Sequence, residues 1–519
     1  NRTLWSDLDL DVRPGELIAI LGANGTGKTT LFKAILGQTR LSTGSISLLG
    51  GRVRRGDHRI GSVPQQRIFA ASVPMLGRDL VTFGRTGRRF GPPITSAADR
   101  AAVDAAITAA GATSLADRPI GSLSGGEQQR LRLAQAIVDE PSLLLCDEPL
   151  SSLDLGHQRA IVDLIDTQRA RGAGVLFITH DVNPILDVVD RILYLAPGGH
   201  RIGTPDEVHR SLRHARRRGA RARPRDCGRR PRRHAPCARR PRASRTGCAA
   251  RGDALMDQIF DFSNYGRLLE LVSGSIVAAA VLGIVGGLIG VFVMQRDMAF
   301  AVHGISELSF AGAAAALLIG IDVAIGSTVG SLIAALIIGV LGVKARDRNS
   351  IVGVLMPFGL GLGILFLALY PGRSANKFGL LTGQIVAVDF QQLGVLIVTS
   401  AMVLVALVII WRPLAFDSLD PEAARARGVP GAALSAVFMV LLGLIVAVAV
   451  QVIGALLVLA LLVTPAAAAI RVSSSVVLVP ILSATFGLVS ALGGILIAIG
   501  STLPISPFIT TISFAIYLV

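Results

Sequence analysis

The two halves of the chain show different patterns of apolar positions. In the first 209 residues, short apolar runs of strand length alternate with helical patterns and glycine-rich turns. The clearest runs are 17–21, 143–146 and 174–178, each followed by glycine or by polar residues. Short buried strands that alternate with helices are typical of an α/β domain with a largely parallel sheet. We therefore predict such a domain over residues 1–209.

From Met256 onward, long apolar runs rich in Gly and Ala replace the short ones. Most reach the ~20 residues that a helix needs to cross a bilayer. The runs cover about 272–294, 298–320, 322–343, 350–371, 391–411, 432–451, 453–470, 476–498 and 503–519. A soluble helical core would leave too little polar surface for so many runs. The pattern predicts an all-α polytopic membrane domain of 8–9 transmembrane helices over 256–519.

Composition agrees with a membrane protein, and the charge is concentrated in one place. Hydrophobic residues make up 51% of the 519 residues and charged residues 17%, and the mean hydropathy is +0.59. Residues 210–255 hold 17 Arg and only two acids, which accounts for nearly all of the net charge of +16. Such a tract buries too little apolar surface to fold, so we predict that it is disordered. Because the charge is not spread over a folded face, we expect no nucleic-acid partner.

A glycine-rich loop follows the first apolar run. Residues 22–29 read Gly-Ala-Asn-Gly-Thr-Gly-Lys-Thr, which fits GxxxxGK[ST] between a strand and a predicted helix, 30–36. Lys28 is expected to reach the β- and γ-phosphates of ATP, and the Thr29 hydroxyl to bind Mg²⁺. Backbone N–H groups at the helix N-terminus would surround the phosphates. The predicted nucleotide-binding residues here are Gly22, Asn24, Gly25, Gly27, Lys28, Thr29 and Thr30.

Two acids follow the apolar run 143–146. Asp147 and Glu148 would lie at the carboxyl end of a buried strand, where open α/β sheets bind their ligands. Asp147 suits the Mg²⁺ that accompanies ATP. Glu148 suits a catalytic role in which it orients or deprotonates the attacking water.

The segment 123–130, Leu-Ser-Gly-Gly-Glu-Gln-Gln-Arg, resembles the signature motif of the ATP-binding cassette (ABC) ATPases. Gln65, residues 151–154 and His180 are similar to that family's Q-loop, D-loop and switch histidine. The resemblance covers the whole first domain and implies an α/β P-loop ATPase. It also implies catalytic roles for Gln65 and His180, and a place for Gln65 beside the nucleotide and its Mg²⁺.

The same resemblance implies a dimer of cassettes that encloses ATP. Ser124, Gly125 and Gly126 of one cassette would contact the γ-phosphate held by Lys28 of the other. Backbone N–H groups and a serine hydroxyl would then stabilise transition-state charge only when the dimer closes.

Residues 256–519 resemble the permease subunits of the zinc/manganese/iron family of ABC importers. The resemblance rests on 296–298, 452–457 and 462–467, and on a coupling segment, 416–430. Within that segment, Glu422-Ala-Ala-x-x-x-Gly428 resembles an importer coupling helix, which is expected to dock on the cassette near Gln65. The resemblance implies ATP-driven import of a divalent transition metal across the cell membrane, with the ATPase on the cytoplasmic face. The implied partners are a second copy of both domains, an extracytoplasmic metal-binding protein, the metal ion and membrane lipid.

His303 and Glu307 lie four residues apart in the second predicted span, so they share one helix face. Ionisable groups at membrane depth are costly and mark transport pathways. An imidazole and a carboxylate can pass a hydrated divalent cation. The metal-permease family usually carries an acid followed by a histidine in this helix, whereas the order here is reversed. A packed His–Glu hydrogen bond between helices is the alternative interpretation.

Two other functions compete with metal import. One is an ABC ATPase of non-transport type joined by accident to a membrane segment, which the coupling-helix resemblance disfavours. The other is an ABC exporter, whose permeases of this domain order carry about six spans rather than eight or nine. The sequence alone does not name the metal.

The distribution of basic residues predicts which membrane side each loop faces. Eight basic residues fall on one side and two on the other, so the first side is cytoplasmic by the positive-inside rule. The eight are Arg296, Lys344, Arg346, Arg348, Arg412, Arg425, Arg427 and Arg471, and the two are Arg373 and Lys377. Nine alternating spans then place the residues before the first span outside, where a fused cassette would face the wrong compartment. We therefore predict that 210–255 is out-of-frame sequence and that natural function uses two polypeptides.

Overall fold

The structure is a computed structural model. It describes residues 3–65, 68–196, 199–207, 265–341, 345–371, 388–501 and 505–518, without the side chains of 345–348 and 456. The disorder predicted for 210–255 and the boundary at Met256 lie outside these residues, as do Lys344, Arg373 and Lys377.

A six-stranded sheet with the order β4-β5-β6-β1-β7-β8 forms the centre of the first domain. Its strands are β1 (Leu17–Gly22), β4 (Ile60–Val63), β5 (Leu143–Asp147), β6 (Gly174–Ile178), β7 (Arg191–Ala196) and β8 (Gly199–Gly203), and a separate hairpin joins β2 (Ser47–Leu48) to β3 (Gly51–Arg52). All neighbours in the large sheet pair in parallel except β7 and β8. Alternate residues of β1 enter two separate apolar cores, one on each face of the sheet. This arrangement confirms the predicted parallel α/β sheet and explains why the strands read as continuous apolar runs.

The described residues of the first domain form five α-helices: α1 (Lys28–Ile35), α2 (Gly77–Thr86), α3 (Ala97–Ala109), α4 (Gly125–Ile137) and α5 (Leu155–Ala170). Helices α1, α4 and α5 pack against strands, and α2 and α3 pack on α4. Helix α1 begins two residues before the predicted start, because Gly27 turns the chain into the helix with a φ of 98°. Ser124 caps α4 in a reciprocal capping box with Glu127. Asp154 caps α5 by accepting a hydrogen bond from the His157 backbone.

The second domain is helical throughout its described residues. Its helices are α6 (Tyr265–Leu271), α7 (Ser273–Gln295), α8 (Ala299–Ile319), α9 (Val323–Leu341), α10 (Ala345–Leu369), α11 (Phe390–Leu419), α12 (Pro421–Ala426), α13 (Gly431–Ile453), α14 (Ala455–Val472), α15 (Leu478–Ile499) and α16 (Ile505–Leu518). Seven of them are long and apolar enough to cross a membrane, and α14 and α16 contribute shorter apolar stretches. In lipid a helix satisfies its own backbone groups, so each predicted apolar run forms one. Within the described ranges, the seven long helices and the two shorter ones agree with the predicted 8–9 transmembrane helices.

Small residues let these helices pack closely. Helices α7 and α15 touch at Gly283, where a Cβ would lie only 2.7 Å from the Gly487 carbonyl oxygen. Helices α8 and α9 touch at Gly312, where a Cβ would lie only 2.2 Å from the Gly326 carbonyl oxygen. The Gly- and Ala-rich composition of the spans therefore serves backbone contact between helices.

Within the part of the chain that the structure describes, the two domains contact each other at one end of the helical bundle. Phe83 of the first domain stacks on Phe416 near the end of α11, with ring centroids 5.4 Å apart. The backbone N–H of Val476, just before α15, donates to Asp79 at 3.2 Å. Helix α7 ends at this same side, where Arg296 pairs with Asp417. We call this side the cassette side of the bundle.

The start of the helical domain lies on the opposite side. The Tyr265 hydroxyl donates to the Leu496 carbonyl oxygen at 2.9 Å, in the last turn of α15. Helix α15 begins next to Val476 on the cassette side and is 22 residues long, so Leu496 lies about 27 Å farther along its axis. Helix α6, which precedes α7, therefore lies across the bundle from the first domain. The basic residues Arg296, Arg412, Arg425, Arg427 and Arg471 all lie on the cassette side.

Candidate functional site

The glycine-rich loop between β1 and α1 wraps a lysine. Lys28 is buried, and its Nζ donates to the carbonyl oxygens of Gly22 at 2.6 Å and Ala23 at 3.2 Å. A Cβ on Gly22 would lie 2.3 Å from the Leu195 carbonyl oxygen, so only glycine fits at this strand end. Asn24 and Gly25 are exposed at the tip of the loop. The loop thus presents backbone groups and one ammonium group at the N-terminus of α1, as an anion site requires.

Asp147 ends β5 beside this loop. Burial is the main reason that its pKa is raised, and the nearby negative charges of Glu148 and Glu422 raise it further. A hydrogen bond to the Thr29 side chain and the charge of Lys28 act in the opposite direction. A hydroxyl and a buried carboxylate in contact, with more carboxylates close by, are the hard oxygen donors that Mg²⁺ prefers. The residues present therefore fit the predicted ion.

Glu148 connects two other predicted site residues. One carboxylate oxygen lies 2.6 Å from Nε2 of His180, and the other accepts a hydrogen bond of 3.1 Å from the Gln65 side chain. Glu148 itself has a φ of 51°, a conformation that is costly for a residue with a side chain and that occurs often in active sites. These three residues follow the adjacent strands β4, β5 and β6, so the sheet brings them to one edge.

The signature segment lies apart from this cluster. Ser124 is exposed, and its backbone N–H and hydroxyl donate to Glu127 at 2.7 and 2.8 Å. These hydrogen bonds hold the pKa of Glu127 below its usual range. Gly126 packs on His157, since a Cβ at Gly126 would lie 2.3 Å from that ring. The N-terminus of α4 therefore presents Ser124 to the outside of the cassette, with Gly125 as the first residue of the helix.

The coupling segment docks on the cassette through two ion pairs, of which the first is buried on both sides. Arg132 of α4 lies 3.1 Å from Asp420, and both side chains are at most 4% exposed. Arg427 lies 2.9 Å from Asp139, just beyond the other end of α4. Burial is the main reason that the pKa of Arg427 is lowered. Sequence reasoning placed Asp420 and Arg427 in the coupling segment without predicting either ion pair, and it missed Arg132 and Asp139, although charges inside otherwise buried helix faces are a usable signal.

The predicted position of the coupling helix is close to the one found. Helix α12 contacts β4, the strand that leads to Gln65. A Cβ on Gly428 would lie 2.7 Å from the Gly56 Cα atom, so the two backbones touch. Arg55 also donates to the Val429 carbonyl oxygen at 3.1 Å.

His303 and Glu307 face each other on α8. Nε2 of His303 lies 3.7 Å from one Glu307 carboxylate oxygen. The other oxygen of Glu307 and Nδ1 of His303 are both buried without a hydrogen-bond partner among the described residues. Glu307 is the ninth residue of α8, about 12 Å from the cassette side. In the described part of the chain, no group of three or more His, Cys, Asp or Glu side chains is arranged to hold a metal ion.

Two family models match the chain. The model for the ABC transporter matches residues 5–151, and the model for the ABC 3 transport family matches residues 269–519. The cassette has relatives in bacteria. Over 194 residues it is 38% identical to the manganese transport system ATP-binding protein MntB of Bacillus subtilis, with 37% of this chain and 78% of that protein covered. The zinc import ATP-binding protein ZnuC of Pseudomonas fluorescens is 34% identical over 208 residues, with coverage of 40% and 73%.

Among solved structures, PsaBC from Streptococcus pneumoniae in complex with Fab matches with 28% identity and a TM-score of 0.45, covering 50% of this chain and 94% of that chain. The cluster around Lys28 and Glu148, and the relatives of the cassette, identify an ABC ATPase joined in sequence to a polytopic membrane domain. The chain belongs to the ABC transporter family. It binds and hydrolyses ATP, and it is a multi-pass membrane protein with its ATPase on the cytoplasmic face.

Proposed function

We propose that the chain supplies the ATPase and the permease of an importer for a divalent transition metal of the zinc, manganese or iron class. The observation that carries this proposal is the docking of helix α12 on the cassette through the Arg132–Asp420 and Arg427–Asp139 ion pairs. Two relatives of the cassette are named as ATP-binding proteins of a manganese and a zinc transport system. A third is named as a membrane protein of a chelated iron transport system. The permease matches the ABC 3 transport family.

Glu148 is the proposed catalytic base. Its contact with His180 and its hydrogen bond from Gln65 would hold the carboxylate where it can take a proton from the attacking water. The ammonium group of Lys28 would bind the β- and γ-phosphates. His180 would position Glu148 and sense the γ-phosphate.

The proposed Mg²⁺ ligands are Thr29, Asp147 and Gln65. When bound with ATP, the ion neutralises charge on the phosphate oxygens. The contact between the Thr29 hydroxyl and the Asp147 carboxylate supports this assignment.

The outward position of Ser124 supports the proposed partnership with a second copy. In such a dimer, Ser124, Gly125 and Gly126 would complete the ATP site of the partner cassette, so hydrolysis would require closure. The permease would lie in membrane lipid. An extracytoplasmic metal-binding protein would deliver the ion to it.

His303 and Glu307 are the proposed contacts for the transported ion. Their unpartnered nitrogen and oxygen atoms are buried on one helix face, and an unsatisfied buried polar atom is costly unless a ligand uses it. Two donors fall short of the four ligands of a closed zinc site. This supports passage of a partly hydrated ion rather than permanent storage.

A first experiment measures ATP hydrolysis by the cassette–permease complex in lipid vesicles. With a metal-binding protein added, zinc- or manganese-loaded protein should stimulate hydrolysis severalfold more than the metal-free protein. Equal rates with loaded and metal-free protein would contradict a metal importer. Stimulation by lipids or by apolar compounds instead would favour the exporter alternative.

We also propose that cassette and permease work as two polypeptides. The opposite positions of Tyr265 and the cassette support this, because residues 208–264 would have to cross the membrane. That stretch carries the 17 Arg of 210–255 and no apolar run of spanning length, and each Arg at the bilayer centre costs about 2.5–3.5 kcal/mol or more.

Resequencing the gene across codons 205–256 tests this proposal directly. A frameshift in that interval is the expected result, with an open reading frame for the permease that starts at Met256. A confirmed single frame, with a full-length chain in membranes and residue 265 accessible from the cytoplasm, would overturn it.

A further inference from the structure

Arg132 connects three parts of the transporter that lie far apart in sequence. It belongs to α4, the helix that begins at the signature residue Ser124. Its guanidinium group lies 4.5 Å from the ring centre of Phe69, four residues beyond Gln65. The same group lies 3.1 Å from Asp420 of the permease. The side chain of Arg132 is 4% exposed, so solvent screens these contacts little.

Asp420 stands at the junction between a membrane-spanning helix and the coupling helix. It ends α11, and its side chain caps α12 by accepting a hydrogen bond from the Ala423 backbone at 3.3 Å. The carboxylate oxygen that contacts Arg132 also accepts a hydrogen bond from the Gln135 side chain at 3.3 Å. A tilt of α11 therefore moves the carboxylate that two residues of α4 hold.

The contacts of α4 make it a rigid link to the signature segment. Gln128, one turn before Arg132, donates to the Ile120 and Leu123 carbonyl oxygens and accepts from the Phe69 backbone. Ser124 lies eight residues before Arg132, about 12 Å along the helix axis. Displacement of Arg132 is thus transmitted along α4 to Ser124 rather than absorbed by a loop.

A buried ion pair is a poor source of stability, because desolvation of both charges offsets their attraction. The attraction offsets that desolvation only at a well-defined distance and orientation, so the pair fixes the relative position of its two partners. We propose that Arg132 is a positioning residue that transmits the state of the permease, through Asp420, to the signature serine of its own cassette. This inference rests on the proposed transport function. The Arg132–Asp420 ion pair, which we call the tether, then couples ATP hydrolysis to transport and serves neither catalysis nor assembly of the complex.

Two variants separate coupling from structure. Asp420→Asn keeps a side chain that can cap α12 but leaves the Arg132 charge buried and unpaired. The double variant Arg132→Met with Asp420→Asn removes that unpaired charge while keeping the cap and an apolar contact. A matched control is Glu16→Gln, which breaks the pair of Arg191 with Glu16, also 3.1 Å apart, within the cassette and away from the permease.

Three quantities are measured for each variant. The first is co-purification of cassette with permease. The second is basal ATP hydrolysis by the purified complex. The third is uptake of radioactive zinc or manganese by cells that carry the variant, normalised to that hydrolysis rate. Typical coupling between sites corresponds to about 5–150-fold.

The double variant should co-purify and hydrolyse ATP at the basal rate, whereas its uptake per ATP hydrolysed should fall about tenfold or more. The Glu16→Gln control should keep the normal ratio. If the double variant transports at the normal ratio, the tether is structural and the inference is overturned. If the unaltered complex hydrolyses ATP but moves no metal, the proposed function fails instead, which is a different outcome.

Discussion

Nε2 of His180 lies 2.6 Å from a carboxylate oxygen of Glu148. The two residues follow β6 and β5, which pair in parallel, so the sheet places them side by side at its carboxyl edge. The contact holds a carboxylate in a strained backbone position, next to the loop that carries Lys28. This arrangement is the reason that we propose Glu148 as the catalytic base.

The first prediction concerns that base. Glu148→Gln should lower ATP turnover by about 10²–10⁴-fold, because an amide does not accept the proton of the attacking water. ATP binding should persist, since Lys28, Thr29 and Asp147 are unchanged. Rates of phosphate release and binding of a fluorescent ATP analogue measure the two properties. Glu140→Gln, a change at an exposed acid of the same domain, is the control. Near-normal turnover in Glu148→Gln would remove Glu148 from the base role.

The second prediction concerns the buried pair in α8. Replacement of both His303 and Glu307 by Ala should abolish metal uptake, yet membrane insertion should be retained because two polar groups leave lipid depth. Ser483→Ala is a matched control, since it removes another buried polar group, one that donates to the Gly287 carbonyl oxygen. Uptake and the amount of protein in membranes are measured together. Unchanged uptake in the double variant would leave the pair with a packing role alone.

The third prediction concerns backbone contact between the domains. Gly56 has a φ of 75°, and a Cβ there would lie 2.5 Å from the Arg427 carbonyl oxygen. Gly56→Ala should therefore reduce co-purification of cassette and permease severalfold. Gly44→Ala is the matched control, because Gly44 has a φ of 87° but open space around it. Both changes strain the backbone by about 1–3 kcal/mol. Equal loss of association in both variants would show that strain, not the clash, is responsible.

The fourth prediction concerns pH. Burial is the main reason that the pKa of Asp79 is raised, against two backbone hydrogen bonds from Leu76 and Val476. A carboxyl whose pKa is higher in the folded protein than in the unfolded chain contributes less stability as pH rises from about 4 through the folded pKa. Asp79→Asn keeps an oxygen for both bonds and does not titrate. The Tm difference between the variant and the unaltered complex should therefore move in favour of the variant as pH rises from about 4 to 7.

Asp79→Ala provides the comparison for that experiment. It removes both hydrogen bonds and should destabilise the complex by about 1–3 kcal/mol near pH 4, and by less as pH rises, because alanine does not titrate either. Thermal denaturation of the detergent-solubilised complex measures both variants. A Tm difference that favours the unaltered complex more strongly at higher pH would contradict the assigned direction of the Asp79 pKa.

The fold was largely predictable from the sequence. Strand runs such as 143–146 and 174–178 are apolar because both sheet faces are covered, and the membrane runs have the length of the bilayer. The clustering of the candidate ATP-site residues was predictable for a related reason, since they lie in short local motifs such as 22–29 at strand ends. The contacts of Gln65 and His180 with Glu148 follow from neighbouring parallel strands.

The interface between the domains was not predictable in detail. Arg132 and Asp420 are 288 residues apart, and no local pattern pairs them. Asp420 looks like an ordinary helix cap, and Arg132 looks like one more charge in a polar helix. Only the docking of the coupling segment on the cassette reveals that the two charges are buried together. The orientation of α7, by contrast, followed from the positions of basic residues.

The most direct test of the account is uptake of radioactive zinc or manganese by cells that lack their own importers for these ions. Cells that carry the cassette and the permease should accumulate one of these metals, and cells with Glu148→Gln should not. The metal accumulated by the unaltered protein should remain inside after the label is removed. Equal accumulation in both strains, or faster loss of preloaded metal from cells with the unaltered protein, would contradict an ATP-driven metal importer.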